Sequence, residues 1–377
     1  MTKLGAWNKF SAVISLILMT VLATVLTPGL VLANTKTWDI QTIDPDEVYS
    51  ASIAVDNHNR AHISYLDNTT GTLKYARFNG TTWDIQTVDS TGNSGGYGAS
   101  IALDSNGYPH ISYYDATNVR LKYAYWTGST WHIEAISANG TIGRSSSLAL
   151  DSNDYPHIAW SGVGAHLMYT KWTGFVWETT EIDSSAGPKS LALDSNDHPH
   201  ISYFVENPLN YLKYATYNGS SWAIEILDQS TYAVGVANSL AIDSSNHPHI
   251  AYSVPINKTI KYARWTGSTW AKETVDTNTM SFGSISIALD NNSYPHLSYT
   301  TVNFACLHFA RWTGSNWAKE TISQDSSRNS SIALDSNGCA HISYNTYESG
   351  AALHYAYACD KFSWNLFLPA ITNGRKM

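Results

Sequence analysis

Hydrophobic and polar residues alternate along most of this 377-residue chain in short runs that are typical of β-strands. The clearest stretch holds four such runs, which cover residues 100–104, 110–114, 121–126 and 131–136. The segments between them contain Gly, Asn or Ser, which favour tight turns. Four short strands joined in this way predict one antiparallel sheet of four strands.

This unit recurs seven times, and each copy carries a histidine six residues after an aspartate, as Asp56 and His62 show. The histidines follow one another at intervals of 43 to 49 residues: His62, His110, His157, His200, His249, His296 and His341. A period of this length in strand-forming residues is typical of a β-propeller blade. We therefore predict an all-β fold, a seven-bladed β-propeller with four antiparallel strands per blade.

The outer strand of the last blade is predicted to come from the N-terminal side of the chain. Outer strands begin at Trp83, Trp131, Trp177, Trp222, Trp270 and Trp317, whereas the residues after Trp364 do not match and include Pro369. Proline cannot donate to a strand ladder. Trp38–Asp44 nearly duplicates Trp83–Asp89, so we predict that it joins the last blade and closes the ring. A strand from Trp364 is the alternative.

The composition argues against a nucleic-acid partner. Lys and Arg total 22 against 30 Asp and Glu, and the sequence has no basic cluster. Only 14% of the residues are charged, while there are 24 Tyr and 14 Trp, which predicts an aromatic and largely neutral surface. We expect a monomer that needs no cofactor.

The first 33 residues have the pattern of a signal peptide. Lys3 and Lys9 precede an almost wholly apolar stretch at 10–26, and Val31-Leu32-Ala33 offers a cleavage site. We expect a signal peptide at 1–33, a propeller at 34–364 and a C-terminal tail at 365–377. The protein is then secreted or held at the cell envelope, with no membrane span after cleavage. An uncleaved anchor is the alternative.

Three cysteines occur, all in the last two repeats. Pairing Tyr344 with Leu353 across the final hairpin places position 339 opposite 358, so Cys339 and Cys359 are predicted to form a disulfide. Cys306 is then a packed free thiol. No Cys/His spacing typical of a metal site is present.

Aspartate and histidine are common catalytic residues, but a catalytic site needs one unique arrangement and this pair occurs seven times. We predict that each Asp caps the amides of its turn and that each His satisfies buried polar groups. A metal-binding ring of imidazoles and calcium loops are the alternatives. The Asp-Ser-Asn-Gly run lacks the length and the carboxylates of a calcium loop.

The connections that vary in length are predicted to lie on one face, where binding residues are usually placed. Their distinctive residues are Asp67, Asp115, Arg144, His166, Lys189, Glu206, Lys258, Arg328 and Glu348, with Tyr97, Tyr232, Phe282 and Phe304 as aromatics. Among them, Arg144 and His166 are our candidate ligand-binding residues.

A second candidate set consists of aromatic residues that share one blade position, directly before the Thr/Asn-Gly turn. They are Trp126, Trp172, Tyr217, Trp265 and Trp312. With the outer-strand tryptophans they would form sugar-stacking pockets between neighbouring blades. The alternative is that they only pack one blade against the next.

The repeat Ser-Ile-Ala-Leu-Asp-Ser-Asn-Gly-Tyr-Pro-His-Ile-Ser-Tyr, followed by Leu-Lys-Tyr-Ala, resembles that of secreted bacterial β-propeller proteins of the BNR or sialidase-like type. The ending Phe367-Leu-Pro-Ala-Ile371 is similar to tails on exported proteins of Chloroflexi. The chain departs from true sialidases, because it has no Ser-x-Asp-x-Gly-x-Thr-Trp box. It has only eight Arg, so a sialidase site with three arginines is not expected.

These patterns favour a secreted, non-catalytic binding module that recognises carbohydrate or a cell-surface partner. The first alternative is a glycoside hydrolase or lyase with a site in the central funnel. Its acid and base would come from Asp67, Asp115 and Glu206, which we expect on successive blades. The second alternative is a purely structural protein of the cell envelope.

Overall fold

The computed structural model describes residues 37–91, 98–141, 143–206, 210–230, 233–277, 283–301, 306–346 and 351–359. The predicted signal peptide and C-terminal tail lie outside this part of the chain, as do Tyr97, Tyr232, Phe282, Phe304 and Glu348. The described residues form seven antiparallel sheets of four strands each, which confirms the predicted propeller fold.

The 28 strands are numbered in chain order, beginning with β1 (Asp39–Asp44). Blade 1 contains β2 (Val48–Val55), β3 (Ala61–Asp67), β4 (Thr72–Phe78) and β5 (Trp83–Asp89). Blade 2 contains β6 (Ser100–Leu103), β7 (Pro109–Asp115), β8 (Arg120–Trp126) and β9 (Trp131–Ala135). Blade 3 contains β10 (Arg144–Leu150), β11 (Pro156–Ser161), β12 (Leu167–Trp172) and β13 (Trp177–Asp183). Blade 4 contains β14 (Lys189–Leu193), β15 (Pro199–Val205), β16 (Asn210–Tyr217) and β17 (Trp222–Ser230).

Blade 5 contains β18 (Asn238–Ile242), β19 (Pro248–Val254), β20 (Thr259–Trp265) and β21 (Trp270–Thr277). Blade 6 contains β22 (Ile285–Leu289), β23 (Pro295–Thr300), β24 (Leu307–Trp312) and β25 (Trp317–Ser323). Blade 7 contains β26 (Ser327–Leu334), β27 (Ala340–Thr346) and β28 (Leu353–Ala358), and β1 is its fourth strand. Two short 3₁₀ turns, Val163–Ala165 and Pro255–Asn257, lie between strands.

The ring closes through the N-terminal strand, as predicted. Strand β1 pairs antiparallel with β28, and Ile40 lies opposite Ala356. This pairing supplies the ladder that β28 would otherwise lack at its outer side. The first and last strands of the propeller are therefore held in one sheet.

The repeated aspartate and histidine stabilise the turn that follows each inner strand. In blade 1, Asp56 Oδ1 accepts hydrogen bonds from the backbone N–H of His58 at 2.9 Å and of Arg60 at 2.8 Å. Asp56 Oδ2 lies 3.3 Å from His62 Nε2, and the Tyr75 hydroxyl lies 2.6 Å from His62 Nδ1. Burial lowers the pKa of His62 to about 4, although Asp56 opposes this shift. The imidazole is therefore neutral and structural, as predicted.

The same arrangement surrounds the ring. The Asp to His distances in blades 2 to 7 are 3.8, 3.5, 3.7, 3.3, 3.7 and 3.5 Å. The tyrosines that meet the other ring nitrogen in blades 2, 3, 4, 5 and 7 are Tyr123, Tyr169, Tyr214, Tyr262 and Tyr355. Blade 6 has Phe309 at this position.

The core lies between blades, where an outer-strand tryptophan packs edge-on against an aromatic ring of the preceding blade. Trp177 of blade 3 contacts Tyr123 of blade 2, with ring centroids 5.4 Å apart and planes at 75°. The equivalent pairs are Trp83–Tyr355, Trp131–Tyr75, Trp222–Tyr169, Trp270–Tyr214, Trp317–Tyr262 and Trp38–Phe309. Such edge-to-face pairs stabilise beyond their buried area, by about 0.5–1.5 kcal/mol each.

A second network between blades was not predicted from the sequence. At the boundary of blades 3 and 4, Asp183 Oδ2 accepts hydrogen bonds from the Tyr203 hydroxyl and from Lys213 Nζ, both at 2.7 Å. The outer-strand aspartates of four further boundaries accept from the matching tyrosine: Asp44 from Tyr65, Asp89 from Tyr113, Asp228 from Tyr252 and Asp276 from Tyr299. We call each such group an inter-blade clamp.

Two boundaries lack the clamp because their residues differ. Between blades 2 and 3, the three positions hold Ser137, Trp160 and Met168. The Trp160 indole N–H instead donates to Thr170 Oγ1 of its own blade at 2.8 Å. Between blades 6 and 7 the aspartate is replaced by Ser323. Loss of the carboxylate therefore accompanies loss of the lysine at the first of these boundaries, which avoids an unpaired buried charge.

The disulfide between Cys339 and Cys359 is present, as predicted. It joins the turn before β27 to the end of β28, within the blade that β1 closes. Cys306 is half-buried and is not part of a disulfide within the described residues, and burial raises the pKa of its thiol.

Asp89→Ala tests the clamp between blades 1 and 2. The buried Asp89 carboxylate pairs with Lys122, which is itself 5% exposed. Removal of the Asp89 carboxylate leaves the buried Lys122 charge unpaired, so we expect the free energy of unfolding to fall by about 3–5 kcal/mol in urea titrations. Asp84→Ala removes an exposed partner of Arg77 and serves as the control, with a change within about 0.5 kcal/mol. Equal losses in the two variants would contradict this role.

Candidate functional site

The carboxylates considered for catalysis stabilise turns instead of facing an open site. Asp67 ends β3 and is fully buried. It accepts hydrogen bonds from the backbone N–H of Thr69 and Thr70 at 2.8 and 3.1 Å, and lies 2.7 Å from Lys74 Nζ. Burial by itself would raise the pKa of Asp67, but the hydrogen bonds from Lys74 and Thr70 outweigh it and lower the pKa.

Asp115 has the same role one blade further on. Its carboxylate accepts from the backbone and side-chain amides of Asn118 at 3.1 and 2.9 Å, and from Arg120 Nε at 3.0 Å. Burial by itself would raise the pKa of Asp115, but the hydrogen bonds from Asn118 and Arg120 outweigh it and lower the pKa. Glu206 is exposed and follows β15 of blade 4. Our expectation that the three acids come from successive blades is therefore wrong: they lie on blades 1, 2 and 4.

Arg144 and His166 lie on the variable face of blade 3, apart from the aromatic set. The Arg144 guanidinium lies 5.6 Å from the centre of the Tyr114 ring of blade 2. His166 Nδ1 lies 3.0 Å from Glu181 Oε1. His166 directly precedes β12 and Trp172 ends it, so the two candidate sets occupy opposite ends of the strands.

The aromatic set shows both packing and exposure. Trp126 lies directly across the ladder from Trp131, with ring centroids 5.5 Å apart and planes at 66°. The equivalent pairs are Trp172–Trp177, Tyr217–Trp222, Trp265–Trp270 and Trp312–Trp317. Each of the five candidate residues is half-buried, so part of its ring surface reaches solvent.

One of these rings lines an open groove of about 410 Å³ between blades 5 and 6. The groove is lined by Asp243, His249, Tyr262, Arg264, Ala271, Lys272, Glu273, Asn292, Ser293, Tyr294, Pro295 and Trp312. Arg264 and Glu273 come from the outer two strands of blade 5, while Tyr294 and Trp312 come from blade 6. The groove thus exists only where two blades meet. We call it the 5/6 groove.

The charged groups of the 5/6 groove are not all equally available. Asp243 caps its turn by accepting from the backbone N–H of Ser245 and His247, and it also faces His249. Lys272 Nζ donates to the carbonyl oxygen of Leu227 in blade 4. Arg264 and Glu273 are exposed, and neither forms an ion pair within the described residues. One cation and one anion therefore remain available to a ligand.

The 5/6 groove is open partly because a contact that bridges other boundaries is missing there. At the boundary of blades 3 and 4, Ser152 Oγ donates to Asp197 Oδ2 at 2.6 Å and links the two turns. The corresponding links elsewhere are Ser105–Asp154, Ser195–Asn246 and Ser336–Asn59. At the 5/6 boundary Ser293 takes the place of Asp197, and within the described residues it forms no such link to the turn of blade 5.

A glycine leaves the room that the Tyr294 ring occupies in the lining of the groove. Gly314 lies in the turn between β24 and β25 with φ of 93°. A Cβ atom at Gly314 would lie 3.0 Å from the Tyr294 hydroxyl. Any other residue would be strained and would push the tyrosine away, so the repeated Gly of this turn also shapes the groove.

Sequence reasoning identified Trp312 but missed Arg264, Glu273 and Tyr294. The available signal was that Arg occupies the residue before the aromatic position in only some repeats, at Arg77, Arg264 and Arg311. Across the part of the chain that the structure describes, no group of three or more His, Cys, Asp or Glu side chains is arranged to hold a metal ion. In the same residues, no helix is long and apolar enough to span a membrane.

Comparison with known proteins shows the fold alone. No protein-family model and no curated protein matches the sequence. An ulvan lyase, which is a polysaccharide lyase, is similar with a TM-score of 0.60 and 13% identity over 83% of this chain and 94% of its own. Virginiamycin B lyase from Staphylococcus aureus has a TM-score of 0.59 and 10% identity over 85% and 99%. The SapL1 lectin, in complex with alpha methyl fucoside, has a TM-score of 0.54 and 14% identity, over 74% of this chain and 97% of its own.

Lys189 is a buried cation near the centre of the ring. It is the first residue of β14 and only 8% exposed. Its Nζ donates to Ser161 Oγ at 2.7 Å and to the carbonyl oxygen of Ser145 at 3.2 Å, both in blade 3. Burial lowers the pKa of Lys189 from its usual 10.5 to about 7.

Lys189 is expected to make stability depend on pH between about 7 and 10.5. In this window the unfolded chain binds one more proton than the folded chain, so stability rises with pH, by up to about 1.4 kcal/mol per pH unit. Lys189→Met should flatten this slope in urea unfolding at a series of pH values. Lys171→Met, at an exposed lysine, is the control and should keep it. Parallel slopes for wild type and Lys189→Met would rule out the assignment.

Proposed function

We propose that this protein is a lectin-like binding module, secreted or held at the cell envelope, that binds carbohydrate in the 5/6 groove. The observation that carries the proposal is the meeting of Arg264, Glu273 and Trp312 in one open groove at a blade boundary. The volume of about 410 Å³ lies within the range of roughly 300–1,000 Å³ that is usual for small-molecule sites. The similarity to a lectin supports the proposal at the level of fold.

The chemistry of these side chains matches that of a sugar ring. A pyranose has an apolar face of C–H groups, which stacks on an indole ring such as that of Trp312. Its hydroxyls both donate and accept hydrogen bonds. The Arg264 guanidinium donates and the Glu273 carboxylate accepts, so neighbouring hydroxyls can be bound by complementary groups. Because one cation and one anion are available, the 5/6 groove favours a neutral sugar over an acidic one.

Catalysis is not part of the proposal. The buried carboxylates of Asp67 and Asp115 each cap a separate turn, and Glu206 lies on a different blade from both. Two of the similar structures are lyases, but their likeness to this chain extends to the fold only. The second candidate, a structural envelope protein, has no specific contact in its favour.

Screening the full chain on a glycan array tests the proposal. We expect saturable binding that falls by at least about tenfold in Arg264→Ala and Trp312→Ala, since a lost charged hydrogen bond or stacking ring is worth about 1.4 kcal/mol or more. Isothermal titration calorimetry with the bound glycan gives the affinities.

Thr216→Ala is the matched control for the glycan experiment. Thr216 occupies the strand position of Arg264, but at the boundary of blades 4 and 5, which the Ser195–Asn246 link closes. The Thr216→Ala variant should bind the glycan with the same affinity as the wild type. An array on which the wild type binds no glycan, or equal binding by Arg264→Ala and the wild type, would overturn the proposal.

A further inference from the structure

The boundary between blades 1 and 2 repeats the residues of the 5/6 groove. Arg77 is the penultimate residue of β4, as Arg264 is of β20. Trp126 ends β8 of the next blade, as Trp312 ends β24. Across this boundary an arginine and a half-buried indole therefore occupy equivalent positions.

The tyrosine of the 5/6 groove also has a counterpart between blades 1 and 2. Tyr108 follows the turn of blade 2, and it is 38% exposed, compared with 37% for Tyr294. A Cβ atom at Gly128 would lie 3.1 Å from the Tyr108 hydroxyl. Gly128 therefore leaves room for the Tyr108 ring, as Gly314 does for Tyr294. Gln86 takes the place of Glu273.

The link between turns is missing here as well. Gly107, with φ of 77°, occupies the position at which Asp154, Asp197 and Asn59 accept from a serine of the preceding blade. At the same position Asn246 donates its side-chain amide to Ser195 Oγ. Glycine has no side chain to accept such a bond. The boundary between blades 1 and 2 therefore lacks the link between turns, as the 5/6 groove does.

Among the seven boundaries, the three features coincide at these two. The boundary of blades 6 and 7 has Arg311, but Ala358 replaces the indole and Cys339 replaces the tyrosine. The boundaries 2/3, 3/4, 4/5 and 7/1 are closed by a link between turns and have Tyr125, Lys171, Thr216 and Tyr357 in place of the arginine. The pattern therefore selects boundaries 1/2 and 5/6.

The two places differ in charge, which sets an order of affinity. Arg77 lies 3.5 Å from Asp84, whereas the residue equivalent to Asp84 in the 5/6 groove is Ala271. Gln86 Oε1 already accepts from the Trp131 indole N–H at 3.1 Å. A ligand at boundary 1/2 must compete with Asp84 for the arginine, so it should bind more weakly there.

We propose that the boundary of blades 1 and 2 is a second carbohydrate site, weaker than the 5/6 groove, so that one chain binds two glycans. The ligand class rests on the function proposed above; the second site rests on the equivalence of the two boundaries. The sites are three boundaries apart in one direction and four in the other. They face nearly opposite sides of the ring, which suits a protein that joins two separate glycan chains.

The experiment uses the full chain and the free oligosaccharide of the strongest array spot. Titration calorimetry of the wild type should give two sites per chain, and Arg77→Ala and Arg264→Ala should each reduce this to one. The double variant should bind none. Asp84→Ala should tighten the weaker site by about two- to fivefold, because it frees Arg77 from an exposed ion pair.

Arg311→Ala is the matched control, since it removes an arginine from the same strand position at a boundary without an indole. Two sites should remain in this variant. One site in the wild type, lost in Arg264→Ala and unchanged in Arg77→Ala, would overturn the second site and leave the proposed function intact. Absence of any glycan binding by the wild type would overturn both.

Discussion

The edge-on contact between a tryptophan of one blade and an aromatic ring of the blade before it is the interaction on which this structure depends. Trp177 contacts Tyr123, and the same contact recurs at all seven boundaries. This contact needs two blades, because Trp177 and Tyr123 belong to different four-stranded sheets. The apolar core therefore forms only when each blade has two neighbours, and the ring must close. Strand β1 meets this requirement by completing the sheet of β28.

Buried polar groups add direction to this packing. In six of the seven blades an aspartate, a histidine and a tyrosine meet at the turn, and the inter-blade clamps join neighbouring blades, so that buried polar groups face one another within an aromatic core. These networks are made of Asp, His, Tyr and Lys, which are residue types common in catalytic sites. Their repetition is the sign of their structural role, because a ligand site on such a scaffold comes from positions where the repeats differ.

The 5/6 groove illustrates how a small difference between repeats opens a space between two blades. Most boundaries carry a carboxylate or amide that links two turns, as Asp197 does with Ser152. At the 5/6 boundary the shorter residue Ser293 lies in the lining of the open groove, and at boundary 1/2 Gly107 has no side chain to form the link. An arginine on one side and an indole on the other then supply donors and a stacking surface. If these boundaries bind glycans as proposed, single residues set affinity and valency without any change to the packing of the ring.

The sequence by itself determined the number of blades, their four strands, the closing strand and the Cys339–Cys359 disulfide. These features follow from local alternation, from a constant period and from pairing within one hairpin, all of which are legible along the chain. It also predicted the structural role of the repeated Asp and His residues, because repetition is visible without a structure. It did not predict that Asp67 and Asp115, the candidate catalytic acids, also cap turns. It did not reveal the inter-blade clamp, whose members, such as Asp183 and Lys213, come from different blades. Only the tertiary structure brought Arg264 and Trp312 into one groove, because two residues just over one repeat apart meet only after their blades have packed face to face.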